Sequence, residues 1–389
     1  MIENLFSSLP FFVCLIWLLF FMLEYKKHDS AKKFFTFFLL VCTILYFSHA
    51  VFFLQNVYFY SRVENIYTFC TLAVYPLYYL YICKLTSIEK FSLKNYWVIL
   101  PALIISLLSV IFYQMMSYEE RINFVEYYFF HTTESLAFSS FATKAQEIRI
   151  IATKLVFILQ LIPVAYYGHK KLSCFNKEVA NYYANTENRN LSLVHKFLFL
   201  FILYAFFSAI ANMLGRHFFL REQWMVIIPA IIFGSMLYLV NYMAYTIRFS
   251  AADFSEEANI NRLKETEAAP TDHENSLTLS TRLKRLMEEE KLFRQKDLHI
   301  SDVAVYLGTN RTYVSNHINQ DLGLSFSDYI NSYRVKYAQR MMLDSESAFS
   351  MLEISDQSGF ANEVSFYRNF KKITGTTPNR WLHEHTSEF

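Results

Sequence analysis

Seven apolar blocks, each about as long as a bilayer core is thick, constrain this chain more than any other feature. They are Leu5–Leu23, Phe34–Leu54, Ile66–Cys83, Tyr96–Tyr113, Ile150–Tyr167, Phe197–Leu214 and Trp224–Tyr245. A helix needs roughly 20 apolar residues to cross the hydrocarbon core. Six of the blocks hold no Lys, Arg, Asp or Glu, and the fifth holds Lys154, about one turn from its start. A lysine stem at that depth can snorkel to the interface. A soluble core helix keeps a polar face, and these blocks do not.

The charges are partitioned along the chain. Residues 1–250 carry a net +7, residues 251–276 a net −5, and residues 277–389 none. Only 18% of the chain is charged and 19% is aromatic, which excludes a disordered chain or a small disulfide-stapled fold. The expected organisation is a seven-helix transmembrane domain (1–250), an acidic cytoplasmic linker (251–276) and a soluble domain (277–389). The linker is expected to be helical around Ile260–Glu267, and its charge to hold the soluble domain off an anionic inner leaflet.

Seven crossings put the termini on opposite sides. The loops after the first, third and fifth blocks hold 12 Lys and Arg, and the others hold 6. The positive-inside rule then predicts an external N-terminus and a cytoplasmic C-terminal half, in a bacterial inner membrane. Glu3 ahead of the first block, with no basic residue before it, argues against a cleaved signal peptide. The largest external loop, Gln114–Arg149, contains Glu119, Glu120, Glu126, Glu134 and a run of aromatics. It reads as a ligand cap or, more commonly for such a segment, as an interfacial helix.

Polar residues within the blocks are His49, Lys154, Gln160, Asn212 and Asn241. They form no spaced set resembling a proton relay, and helix–helix hydrogen bonding is their commoner use. Pro76, Pro101, Pro163 and Pro229 are expected to kink helices. Cys14, Cys42, Cys70, Cys83 and Cys174 form no CxxC and no ligand spacing. They read as small apolar residues, and no metal or other cofactor is expected. No HExxH, GxSxG or paired intramembrane carboxylates appear, so no enzymatic activity is expected.

From Leu277 onward the periodicity is helical. Ser301 to His317 reads as helix, Gly308 turn and helix. Ala304 lets two helices approach, Gly308 supplies the turn, Val314 packs the second helix on the first, and Asn310 caps it. The pattern returns at Ile354–Phe360 followed by Asn362–Lys372. A long amphipathic helix, Ser325–Leu343, joins the two. Gly375-Thr376-Thr377-Pro378 then ends one helix and starts another.

Gly323-Leu324-Ser325-Phe326 with Tyr329-Ile330, Arg334 with Ala338, and Gly359-Phe360, Phe366, Arg368 to Lys372 and Gly375 to Pro378 resemble the DNA-binding domain of the AraC family of bacterial transcription regulators. The resemblance covers about residues 277–382, and the whole chain resembles the membrane-anchored members of that family. It implies two helix-turn-helix units rigidly joined by the Ser325–Leu343 helix, so that with the apolar blocks the expected fold is all-α, a seven-helix transmembrane bundle followed by a cytoplasmic all-α domain. Their recognition helices would enter successive major grooves roughly 34 Å apart. The groove-facing positions it implies are Asn310, Arg311, Thr312, Ser315 and Asn316 in the first unit, and Glu363, Val364, Tyr367 and Arg368 in the second. Lys371 and Lys372 would meet phosphates. Arg suits guanine, Asn adenine, Glu the cytosine amine and Val the thymine methyl.

Two positions depart from that family. Ser355 stands where the second unit usually has Ala, and Trp381-Leu382 where it usually has Tyr-Arg. The soluble domain is also electrically neutral, where free DNA-binding domains are usually basic. Its expected partners are double-stranded promoter DNA, the lipid bilayer, a second copy of the chain in a homodimer, and a small-molecule or peptide signal. RNA polymerase is a further partner this reading admits. The alternatives are a transporter or intramembrane enzyme with an attached regulator, and a passive membrane anchor.

Overall fold

A computed structural model describes residues 2–88, 93–133, 135–137, 139–214, 218–219, 223–267, 276–344 and 349–386. Lys90, Glu134, Arg216, Arg221 and the acidic stretch 268–275 lie outside them, as does the side chain of Asn212. The described residues are helical, with one isolated bridge, Tyr183 to His299, and no strand. They form two units: residues 1–172 with 192–250, and residues 173–191 with 251–389.

The first unit contains α1 (Ile2–Ser7), α2 (Leu9–Leu23), α3 (Ser30–Phe53), α4 (Val57–Thr86), α5 (Leu100–Met115), α6 (Tyr118–Val125), most of α7 (Phe141–Tyr182), α8 (Ser192–Leu214) and α9 (Gln223–Thr246). Six of these helices, α3, α4, α5, α7, α8 and α9, are long and apolar enough to cross a membrane. The first expected crossing is shorter. It divides at Ser8, leaving α2 with 15 residues, because Pro10 in its first turn has no N–H to extend the helix backward. Pro101 likewise starts α5 and does not kink it, since proline at N1 or N2 removes only a donor that would be unpaired anyway. Pro76, Pro163 and Pro229 lie inside helices.

α4 and α7 extend past the apolar blocks that predict them. Asn56 caps α4, its side chain accepting from Phe59 N at 2.9 Å, so the helix begins at Val57 and includes Glu64. α7 has 42 residues, about 63 Å at 1.5 Å per residue, twice what the hydrocarbon core requires. It runs from Phe141, through Arg149, to Lys177 and Tyr182.

The loop between α5 and α7 folds back on the bundle. Phe124, Val125 and Phe130 are buried with Phe52, Tyr60 and Tyr113, and Phe130 stacks on Phe52 at 4.8 Å. The buried Glu120 carboxylate accepts hydrogen bonds from the Ser140 and Thr143 hydroxyls. The segment thus packs on the helix ends through Phe124 and Phe130, while Tyr118 is exposed.

The second unit contains the end of α7, the segment to Leu191, α10 (Ala251–Glu267), α11 (Ser276–Glu288), α12 (Ile300–Leu307), α13 (Arg311–Asn316), α14 (Phe326–Leu343), α15 (Met351–Gln357), α16 (Glu363–Thr374) and α17 (Pro378–Thr386). α10 is longer than the helical stretch expected in the linker. It buries Ala251, Phe254 and Ala258, and Phe254 meets the rings of Phe175, Tyr182 and Tyr183.

Candidate nucleic-acid interface

The first helix-turn-helix is α12 and α13. Gly308 ends α12 in the left-handed region (φ 60°), where glycine pays no Cβ penalty. Ala304 and Val314 are fully buried between the helices. The Asn310 side chain accepts from Tyr313 N at 3.1 Å and so caps α13. Arg311, Thr312, Ser315 and Asn316 fall at i, i+1, i+4 and i+5, within one helical face, and Val314 and Ile318 are buried beside it, on the Arg311 side. Thr312 and Asn316 are exposed. Arg311 and Ser315 are half-buried, and Ser315 Oγ accepts from Asn319 Nδ2 at 2.9 Å.

The second unit repeats the device. Ser350 and Glu353 form a capping box at the start of α15. Gly359 makes the turn at φ 86°, and a Cβ there would stand 2.6 Å from the Arg294 carbonyl oxygen. Asn362 caps α16 by accepting from Ser365 N at 2.9 Å. Glu363, Val364, Arg368, Lys371 and Lys372 are exposed on one face, and Tyr367 is half-buried beside them. Phe366 and Phe370 on the other face are buried with Val335, Ala338, Met341, Met342, Ile354 and Phe360. Val364 is 70% exposed. Lys372 is already paired, with Nζ 2.5 Å from the Asp328 carboxylate on α14.

α14 joins the units, and buried Arg334 fastens it to the turn before α12. Arg334 donates to the carbonyl oxygens of Phe293 (2.7 Å) and Gln295 (2.6 Å). Burial pushes its guanidinium down to about 10. Arg294 Nε in the same turn donates to Gln357 O at 2.9 Å, tying the second unit to it. The departures from the family pattern find places. Ser355 is buried, its hydroxyl without a partner among the described residues. Trp381 packs edge-on against Phe370 at 5.9 Å and stacks on His385 at 4.1 Å, so α17 keeps an aromatic anchor.

Sequence reasoning missed the residues that contact this interface from far away in the chain. Tyr182, at the end of α7, is buried, and the Arg311 guanidinium lies 5.7 Å from its ring centroid. The Tyr182 hydroxyl accepts from Asn261 Nδ2 (2.8 Å) on α10 and from Ser301 Oγ (3.1 Å) on α12. Tyr183 donates to Glu257 at 2.7 Å, and the Arg189 guanidinium covers its ring at 4.5 Å. Burial, then the Glu257 carboxylate, raises that phenol well above its ordinary range. Ala184 N donates to Leu298 O (3.0 Å), and Ala184 O accepts from Ser327 Oγ (2.9 Å) and Asn331 Nδ2 (3.3 Å). The only local signal was a Tyr-Tyr pair in a basic loop.

The comparisons with known proteins fall on this same region. Residues 303–384 match a family model described as a helix-turn-helix domain. An uncharacterized HTH-type transcriptional regulator of Bacillus subtilis (strain 168), YtdP, is 29% identical over 93 residues, 24% of this chain and 12% of that protein. An uncharacterized HTH-type transcriptional regulator of Staphylococcus aureus is 27% identical over 112 residues, 28% of this chain and 15% of its own length. The chain thus spans about an eighth of the length of these relatives. No solved structure matches the chain. With two glycine-turned helix pairs joined by one buried arginine-anchored helix, the C-terminal region carries an AraC-type helix-turn-helix domain.

Proposed function

We propose that the chain is a membrane-embedded, sequence-specific DNA-binding regulator of transcription, in which a state of the transmembrane helices is passed directly to the recognition helices. Arg311 and Arg368 read guanines, Val364 a thymine methyl, and Lys371 a phosphate. A homodimer places two such domains on adjacent sites, which offsets the weak electrostatic attraction of a neutral domain.

One observation carries the coupling. The segment 173–191, the end of α7 and the chain that leads on to α8, is built into the DNA-binding unit, and its Tyr182 touches Arg311. A passive anchor needs a single tether, the one that follows α9. Here two passages of the chain enter the DNA-binding unit, one of them a continuous helix. A shift or rotation of α7 along its axis would therefore move Tyr182 against α12 and α13.

The test is selection of DNA from a random pool by the full chain in bilayer nanodiscs. The proposal expects a motif of two elements about one helical turn apart. Recovery of unenriched DNA would overturn it.

A further inference from the structure

The first unit holds two adjoining, partly open cavities of different chemistry. The larger, about 310 Å³, is lined by apolar and aromatic side chains, among them Tyr46, Tyr75, Phe157, Tyr204 and Phe233. The smaller, about 110 Å³, is lined by Glu64, His131, Arg149 and Lys154. Tyr67, Thr71 and Phe157 line both. The pair therefore has an apolar body and a polar end, in the size range of small-molecule sites.

The polar end is built and incompletely satisfied. Glu64 and Arg149 are 1% and 5% exposed, with Arg149 Nη1 2.9 Å from Glu64 Oε1. Arg149 also donates to Thr68 Oγ1 (3.1 Å) and Gln146 Oε1 (2.7 Å). Its Nη2, and the hydroxyl of the buried Thr71, have no hydrogen-bond partner among the described residues. Buried donors of this kind are costly to leave unpaired. Arg149 and Lys154 line this end together with Glu64, whose Oε2 also has no hydrogen-bond partner among the described residues, and Glu147 accepts from Tyr128 in the same lining.

We propose that these joined cavities bind an amphipathic monoanion, its apolar body in the larger chamber and its carboxylate or similar head against Arg149, Lys154 and Thr71. This rests on the reading of the bundle as the sensing half. A free fatty carboxylate and an anionic bilayer lipid share the chemistry. The bridging positions lie on α4 and α7, so occupancy acts on the helix that ends at Tyr182.

The experiment uses the full chain in nanodiscs of zwitterionic lipid with a photoreactive fatty acid as probe. Labelled peptides are mapped, and decanoate, decanol and decylamine compete. The expected result is saturable labelling on α4 and α7, displaced about tenfold better by decanoate than by the neutral or cationic analogue. Lys154→Gln, at an exposed position, should weaken decanoate about tenfold. The paired Glu64→Gln and Arg149→Gln double variant removes one charge of each sign, keeps Lys154, and should weaken decanoate further by removing the Arg149 donor. Diffuse labelling, equal competition by decylamine, or an unaffected Lys154→Gln would overturn the site. Displacement by phosphatidylglycerol discs but not by decanoate would overturn the free ligand and assign the site to a bilayer lipid. DNA binding by the same samples is a separate readout, so losing the ligand site leaves the DNA-binding reading standing.

Discussion

The guanidinium of Arg311, at the first position of the first recognition helix, lies over the ring of Tyr182, 5.7 Å from its centroid. These residues are far apart in sequence. They meet because Tyr182 ends the helix α7 and Ala184, two residues on, is stitched to Leu298, Ser327 and Asn331. The arginine proposed to read a base is thereby given an intramolecular partner supplied by the chain that leaves an apolar helix. A fragment beginning at residue 277 lacks that segment and α10, and leaves the Ser327 and Asn331 donors without their carbonyl.

The two arginines are expected to read different bases. Arg311→Ala and Arg368→Ala should each cost about 1–3 kcal/mol on the selected DNA and relax specificity at separate positions, one helical turn apart. Lys371→Ala should weaken all sequences alike and flatten the salt dependence. Base-by-base affinity profiles of the three variants distinguish these outcomes. Unchanged profiles for both arginine variants would remove the recognition-helix assignment.

Gly359→Ala should be among the most damaging single-methyl changes in the DNA-binding unit. The added Cβ meets backbone at 2.6 Å, at a φ of 86°. Backbone cannot swing aside as a side-chain tip can, so the cost should exceed the roughly 1 kcal/mol of the conformational penalty alone. Gly375→Ala shares the positive φ (82°) but meets nothing within 4 Å. Comparing the two by hydrogen exchange in α15 and α16 of the full chain isolates the clash. Equal effects would mean that the Arg294 turn yields.

Much of this was legible in the sequence, and for local reasons. Gly308 and Gly359 turn, Asn310 and Asn362 cap, and Val314 and Phe366 pack because spacing over a few residues fixes those roles. The apolar blocks were legible by length, though α2 came out shorter because Pro10 interrupts it. Glu64 and Arg149 were not legible as a pair. Each sits just before an apolar block, where a charge ordinarily ends a span, and only the folded bundle brings them to 2.9 Å. Asn310 caps α13 as its spacing predicts, its side-chain oxygen accepting from Tyr313 N. The Tyr182–Arg311 contact depends on a tertiary arrangement that no spacing encodes.

Orientation can be read from a single native thiol. Cys174 is exposed, and the other four cysteines are buried. With residue 174 on the cytoplasmic side, a membrane-impermeant maleimide should leave intact spheroplasts unlabelled and label Cys174 after permeabilisation. Labelling of intact cells, lost in Cys174→Ser, would reverse the topology.

The capping box of α15 predicts a pH dependence. Hydrogen bonds from the Ser350 backbone and hydroxyl hold the Glu353 carboxyl below its ordinary value. A depressed folded pKa contributes stability above the unfolded value and loses it as pH falls through the folded one. Ser350→Ala should therefore speed hydrogen exchange in α15 at neutral pH. The difference from the parent should narrow below about pH 4, to what the Glu353 N to Ser350 Oγ cap contributes. A gap of unchanged size in acid would mean that the Glu353 carboxylate takes no part.

The coupling itself is tested most directly by operator affinity of the full chain in nanodiscs with Tyr182 replaced two ways. Tyr182→Phe keeps the ring beneath Arg311 and loses the hydroxyl that Asn261 and Ser301 engage. Tyr182→Leu keeps apolar bulk and loses the ring. A cation–π contact of about 0.5–1 kcal/mol competes with base readout, so Tyr182→Leu should bind the selected DNA about two- to fivefold more tightly than Tyr182→Phe. In an Arg311→Ala background the two should bind alike. Equal affinities with Arg311 present would contradict the account, because the chain from α7 would then touch the recognition helix without governing it.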